Sequence, residues 1–161
     1  MHLPRRPRHG SAGFTLVELL IVVIILGILA AVVIPQFGGA TEETKQARFA
    51  ASLRSLAESA DLYKAKTGND ITDCSSGVWH ADFDGYIHQA GFEKATPVGG
   101  VWDTEQGSYG VTSAVGVHFL TGNVPTDAFM AKVDAILDDG VLTTGGFRKL
   151  DSDRFYMVLV E

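Results

Sequence analysis

The chain opens on polar and basic residues, turns apolar for 21 positions, and then moves between helical and strand-like spacing to its end. From Phe14 to Ile34 the only charge is Glu18, and a helix of that length rises about 31 Å, matching the roughly 30 Å hydrocarbon core of a bilayer. Helix is the one local way for such a run to satisfy its backbone in lipid, so a membrane-spanning helix is predicted over 14–35. After Gly38 and Gly39, residues Phe49, Leu53, Leu56, Ala57, Ala60 and Tyr63 fall on one apolar face at helical spacing. Lys45, Arg48, Arg54, Glu58, Asp61 and Lys64 mainly take the other faces, and Gly68 suits a helix stop. The helix is therefore expected to continue over 36–68, as a stalk of about 80 Å in all whose outer half packs on a head.

That head is expected over 69–161. Between Asn69 and Gly107 glycines and Pro97 punctuate short apolar pieces, predicting a loop-rich segment with one short helix near Tyr86 to Ala90. Tyr109 to Phe119 alternates as a strand, with Gly110 and Gly116 weakening it or marking a bulge. Pro125 to Asp139 reads as an amphipathic helix with Phe129, Val133, Ile136 and Leu137 on one face, Thr126 as its cap and Gly140 just past its end. Phe147 to Leu150 and Arg154 to Val160 read as two strands joined around Asp151-Ser152-Asp153. The fold class is α+β: a long N-terminal membrane-spanning helix packed against a small antiparallel sheet.

Charge adds an orientation. The 13 basic and 19 acidic residues give −6, but Arg5, Arg6 and Arg8 stand in residues 1–13, which hold no acid, so the rest of the chain carries −9. Residues 1–13 read as a cytoplasmic leader, and the positive-inside bias sends the head across the membrane. An acidic exported head lacks the clustered Lys and Arg that phosphate backbones require, so no nucleic-acid partner is predicted. The apolar run exceeds the 7–15 residues of a secretory signal peptide, and the twin arginines stand well before it and are followed by Pro-Arg-His.

Glu18 is the residue that hydrophobicity does not explain. A carboxylate within a bilayer is costly and calls for a proton or a partner, yet no Lys, Arg or His lies between Gly13 and Lys45. Cleavage after Gly13 would create an α-amino group on Phe14, one helical turn away and mostly charged at neutral pH. Within the run, Gly27 and Ala31 form a small-xxx-small pair that permits close helix approach, and Pro35 removes a helical hydrogen bond at the membrane exit.

Gly13-Phe14-Thr15-Leu16-Val17-Glu18-Leu19-Leu20 and the aliphatic run behind it resemble the processing and assembly motif of type IV pilins and type II secretion pseudopilins. The resemblance implies a pilin-like fold and a structural filament subunit rather than an enzyme. It implies cleavage by a prepilin peptidase between Gly13 and Phe14, methylation of the new Phe14 amine, and pairing of Glu18 with Phe14 of a neighbouring subunit. Its partners would be other pilin or pseudopilin subunits, an inner-membrane assembly platform with its ATPase, and membrane lipid. The site would be the bacterial inner membrane, with the leader in the cytoplasm, and then a periplasmic or extracellular filament. In this family a proline matching Pro35 is associated with helix melting in the filament. Ala60 to Gly68 resembles the helix end of major pseudopilins, and Gly99 to Asp103, Asp138 to Gly140 and Tyr156 are similar to pilin-like proteins. A membrane-tethered exported binding domain that does not polymerise is the alternative, and an enzyme behind an unusual signal peptide a third.

Asp138, Asp139, Asp151 and Asp153 offer oxygen ligands of the kind calcium takes, and major pseudopilins bind calcium in a C-terminal loop. Their spacing is not that of an EF-hand. His80, His88 and His118 lack zinc-site spacing, and Ser75, Ser76 and Ser108 lack a nucleophile elbow. Cys74 is the only cysteine, which excludes an intrachain disulfide and, by the resemblance, favours the pseudopilin branch over pilins that close a C-terminal loop with paired cysteines.

Overall fold

The computed structural model describes residues 14–161, and of residues 30–40 only the helical backbone. The chain divides into two compact units, Met1–Ala40 and Thr41–Glu161. Helix α1 is assigned over Leu16–Thr67. Gly68 ends it with φ +76° and an amide donating to the Lys64 carbonyl at 2.8 Å, a conformation glycine adopts without steric cost. Among the described residues no helix is long and apolar enough to cross a membrane. The span expected over 14–35 runs into residues whose side chains lie outside the described set, as does the expected disturbance at Pro35.

The head is an antiparallel sheet of four strands, β1 (Val101–Gln106), β2 (Ser113–His118), β3 (Phe147–Asp151) and β4 (Arg154–Val160), in the order β1-β2-β4-β3. Two short helices, α2 (Gln89–Phe92) and α3 (Asp127–Leu137), and a 3₁₀ turn at Ala81–Phe83 complete it. The predicted face of α1 is the buried one: Phe49, Leu53, Leu56, Ala57, Ala60 and Tyr63 are all inside. Phe49 stacks on Trp102 of β1, ring centroids 5.6 Å apart, and meets Phe147 of β3 edge-on at 6.4 Å. Val115, Val117 and Phe155 continue the same core, with Met130 and Val133 of α3 closing it. Fully burying a side chain of this size contributes about 2 kcal/mol, so this one layer carries much of the head.

Both edges of the sheet are partly covered. Gly77 donates to the Trp102 carbonyl at 2.8 Å, and Thr104 Oγ1 donates to the Thr72 carbonyl at 2.8 Å, laying the 69–79 segment along β1. Lys149 of β3 donates to the Leu142 carbonyl at 2.9 Å.

Three expectations are corrected. Residues 101–106 form a strand, β1, where a loop was expected. The strand expected from Tyr109 begins only at Ser113, because 107–112 turn through three left-handed residues, Gly107, Tyr109 and Gly110. In α3 the buried face is Met130, Val133 and Asp134, while Ile136 is exposed. Thr126 caps α3 as expected, its hydroxyl accepting from the Phe129 amide.

Candidate functional site

At the start of α1, Thr15 and Glu18 form a reciprocal cap. The Thr15 amide and hydroxyl both donate to Glu18 Oε2, at 2.8 and 2.7 Å, and the Glu18 amide donates to Thr15 Oγ1 at 3.2 Å. This is the capping box that the spacing Thr-x-x-Glu encodes, a partner for Glu18 that was already present in the sequence. Phe14 is 80% exposed and the apolar side chains from Leu16 to Leu29 are exposed throughout. A Cβ added at Gly27 would meet nothing within 4 Å, so that side of the helix is open to a neighbour. Gly13 and the side chains of Ala31 and Pro35 lie outside the described residues.

A second site lies where α3 ends. Asp134, Asp138 and Asp139 each present a carboxylate oxygen within 4.8 Å of the others, the one such group of metal-ligating side chains among the described residues. Asp134 is 0% exposed, and although the Gly140 and Val141 amides lie near, no donor reaches either carboxylate oxygen in good hydrogen-bond geometry. Burial first, then Asp139 and Asp138, raise its pKa to about 6, against a smaller opposing pull from the Gly140 and Val141 amides. Asp139 is held low by the Val141 amide and the Thr144 hydroxyl, both at 2.8 Å. Asp138 accepts from the Gly146 amide, an approach that a side chain at Gly145 would block, since its Cβ would fall on the Asp138 carboxylate. An orphaned buried carboxylate beside two more oxygen donors fits a hard cation such as calcium.

Of the four acids expected as calcium ligands, Asp138 and Asp139 lie in this group and Asp151 and Asp153 do not. Asp151 accepts from the Ser152 amide at the hairpin tip, and Asp153 faces His118 Nε2 at 3.3 Å. Neither belongs to the Asp134 group. Asp134 was readable as the acid one turn before Asp138, yet its place on the apolar side of α3 hid it.

The sheet face turned away from α1 carries a buried polar network that the sequence did not announce. Asp103, 1% exposed, accepts at Oδ2 from Tyr156 Oη (2.6 Å), Arg154 Nη1 (2.9 Å) and Ser76 Oγ (2.9 Å). Arg154 also pairs with Glu105 and lies 5.1 Å from the Tyr109 ring centroid. Burial, then Asp103, raises the Tyr156 hydroxyl and keeps it a donor. Gly116 makes the arrangement possible: a Cβ there would lie 2.6 Å from Tyr156 Cα and 2.7 Å from its ring.

Ser76, His118 and Asp153 follow one another at 2.7 and 3.3 Å, a sequence of groups that invites comparison with a hydrolytic triad. The Ser76 proton, however, goes to Asp103. The adjacent Gly77 and Val78 amides are committed to the Trp102 and Ser75 carbonyls. Cys74 is a free thiol whose pKa burial raises, its sulfur 3.1 Å from the Thr104 hydroxyl, whose proton goes to the Thr72 carbonyl. It is a packing thiol rather than a nucleophile.

Residues 8–34 match the prokaryotic N-terminal methylation motif. Over 57 residues the chain is 40% identical to the type II secretion system core protein G of Pseudomonas aeruginosa, covering 35% of this chain and 40% of that protein. The protein of the same description from Vibrio cholerae is 42% identical over 54 residues, 34% of this chain and 37% of its own length. A fimbrial protein of Pseudomonas aeruginosa is 51% identical over 56 residues, 33% and 36% of the two lengths. The chain thus spans well under half the length of these curated relatives. No solved structure matches it.

This is a protein with a prepilin-type N-terminus. Over its N-terminal third it is similar to type II secretion core protein G and to a fimbrial protein.

Proposed function

We propose that the chain is the precursor of a structural, non-enzymatic subunit of a type IV-like filament, a type II secretion pseudopilus or a type IV pilus. A prepilin peptidase cuts between Gly13 and Phe14 and methylates Phe14, and the subunit polymerises through α1 from the inner membrane, driven by a separate platform and its ATPase. The observation that carries this reading is the methylation motif over residues 8–34, with Glu18 at the fifth position counted from Phe14. Before assembly Glu18 rests on its own Thr15; on assembly the Phe14 amine of a neighbour supplies the full positive charge that the cap lacks.

Mass spectrometry of the mature protein tests the processing. The expected mass is that of Phe14 to Glu161 plus one methyl group. A chain retaining residues 1–13, or beginning near Thr41, would overturn the proposal. Glu18→Ala separates polymerisation from tethering, since a filament subunit loses its filaments while still inserting in the membrane, whereas a tethered binding domain is unaffected.

The head is further proposed to hold calcium through Asp134, Asp138 and Asp139, supported by the orphaned Asp134 carboxylate. Thermal unfolding with calcium and with a chelator tests it: a midpoint that does not move between the two removes the site.

A further inference from the structure

Beside α2 lies an open depression of about 620 Å³, within the range of small-ligand sites. Trp79 and Tyr86 line it as half-buried aromatics, and Asp84, His88, Gln89 and Glu93 line it as exposed polar side chains. Among the described residues no lysine or arginine lines it. Both fully charged groups at the rim are therefore acids, and neither carboxylate is neutralised from within the lining.

The aromatic rings are held in place by the fold. The Trp79 indole N–H is already used, donating to the Ile87 carbonyl at 3.1 Å, and its ring stands edge-on to Phe83 at 6.5 Å. Tyr86 is set at 84° against Tyr63 of α1, ring centroids 5.3 Å apart. The Tyr86 and Ile87 amides both donate to the Phe83 carbonyl, at 3.0 and 2.9 Å, closing the turn that carries them. Trp79 thus has aromatic surface to offer a ligand but no free hydrogen-bond donor. Ring faces carry negative electrostatic potential and attract cations, and the two acids add attraction of the same sign. An anionic ligand would meet repulsion from both.

We propose that this depression binds an organic cation, an ammonium or guanidinium group carried by a ligand from outside the chain, seated on the Trp79 and Tyr86 rings and held by Asp84 and Glu93. A second cavity, of about 260 Å³, adjoins it through Ile87 and His88 and is lined by the hydroxyl-bearing Ser52, Ser55 and Ser59 of α1. A ligand longer than the cationic group itself has polar partners there for its neutral remainder.

The test uses the full chain in non-ionic detergent, following the indole N–H resonance of Trp79 by NMR, assigned with Trp79→Phe. Choline and N-acetyl-lysine amide are titrated separately, beside 3,3-dimethylbutan-1-ol, which has the shape of choline without its charge. Saturable shifts are expected with the cations, and the tighter of the two distinguishes a small quaternary ammonium ligand from a lysine side chain. The neutral alcohol should bind at least about tenfold more weakly. The double variant Asp84→Asn, Glu93→Gln changes only exposed side chains and should keep the native spectrum while losing about tenfold in cation affinity. No saturable shift with either cation up to about 100 mM, equal binding of the neutral alcohol, or undiminished cation affinity in the double variant would each overturn the proposal.

Discussion

Asp134 is a carboxylate fully inside the head, near the Gly140 and Val141 amides but without a well-formed hydrogen bond. Its ordinary pKa of 3.8 rises to about 6 on folding, so between those values the folded chain holds its proton more tightly than the unfolded one. Without metal, the stability that the Asp134 proton contributes is fully present below about pH 4 and is lost as pH rises through about 6. Asp134→Asn should flatten that slope, stabilise the metal-free head by about 2 kcal/mol at neutral pH, and abolish any calcium-induced shift in the unfolding midpoint. Denaturant unfolding at several pH values, with and without calcium, measures all three.

The Asp103 network makes the opposite use of burial, because its charges are paired. Arg154→Met strands Asp103 and Glu105 without their cation and should cost about 3–5 kcal/mol. Gly116→Ala drives a Cβ into Tyr156 and should cost about 3 kcal/mol, read in the same unfolding experiment. These two variants separate loss of charge pairing from loss of space within one network.

Among the elements, α1 and α3 owe their ends to capping. Thr126→Ala removes the acceptor for the Phe129 amide and should destabilise the head by about 1 kcal/mol. Thr15→Val removes the acceptor for the Glu18 amide. It should speed exchange of that amide about fivefold without moving the unfolding midpoint of the head, since Thr15 lies in the other compact unit.

The same elements explain what was legible beforehand. The outer half of α1 was readable because every third or fourth residue from Phe49 to Tyr63 is apolar, and β4 because Arg154 to Val160 is rich in strand formers. β1 was not. Its Val-Trp-Asp-Thr-Glu-Gln places Asp103 and Glu105 at positions that turn out to be buried, and acids read as solvent or loop until their partners are known. Those partners, Arg154 and Tyr156, stand about fifty residues later, a separation no local pattern spans. Asp134 was hidden for a related reason: a lone acid among apolar residues looks like an error in a helical face until Asp138 and Asp139 are folded next to it.

At the scale of the molecule, the N-terminal motif and the head differ in how far they speak for function. The motif is local, so residues 8–34 alone identify it. The head depends on contacts between distant residues, and the curated relatives reach only about a third of the chain. Its surface, including the Trp79 depression, is therefore where this protein is free to differ from those relatives.

Loops occupy one main-chain group on each edge strand, the Trp102 carbonyl of β1 and the Lys149 amide of β3. Edges overlaid in this way are less open to strand addition than bare ones. A polymer built from such units would be held by packed helices and side chains alone, and ought to come apart into folded monomers in mild detergent without ever giving a cross-β diffraction pattern.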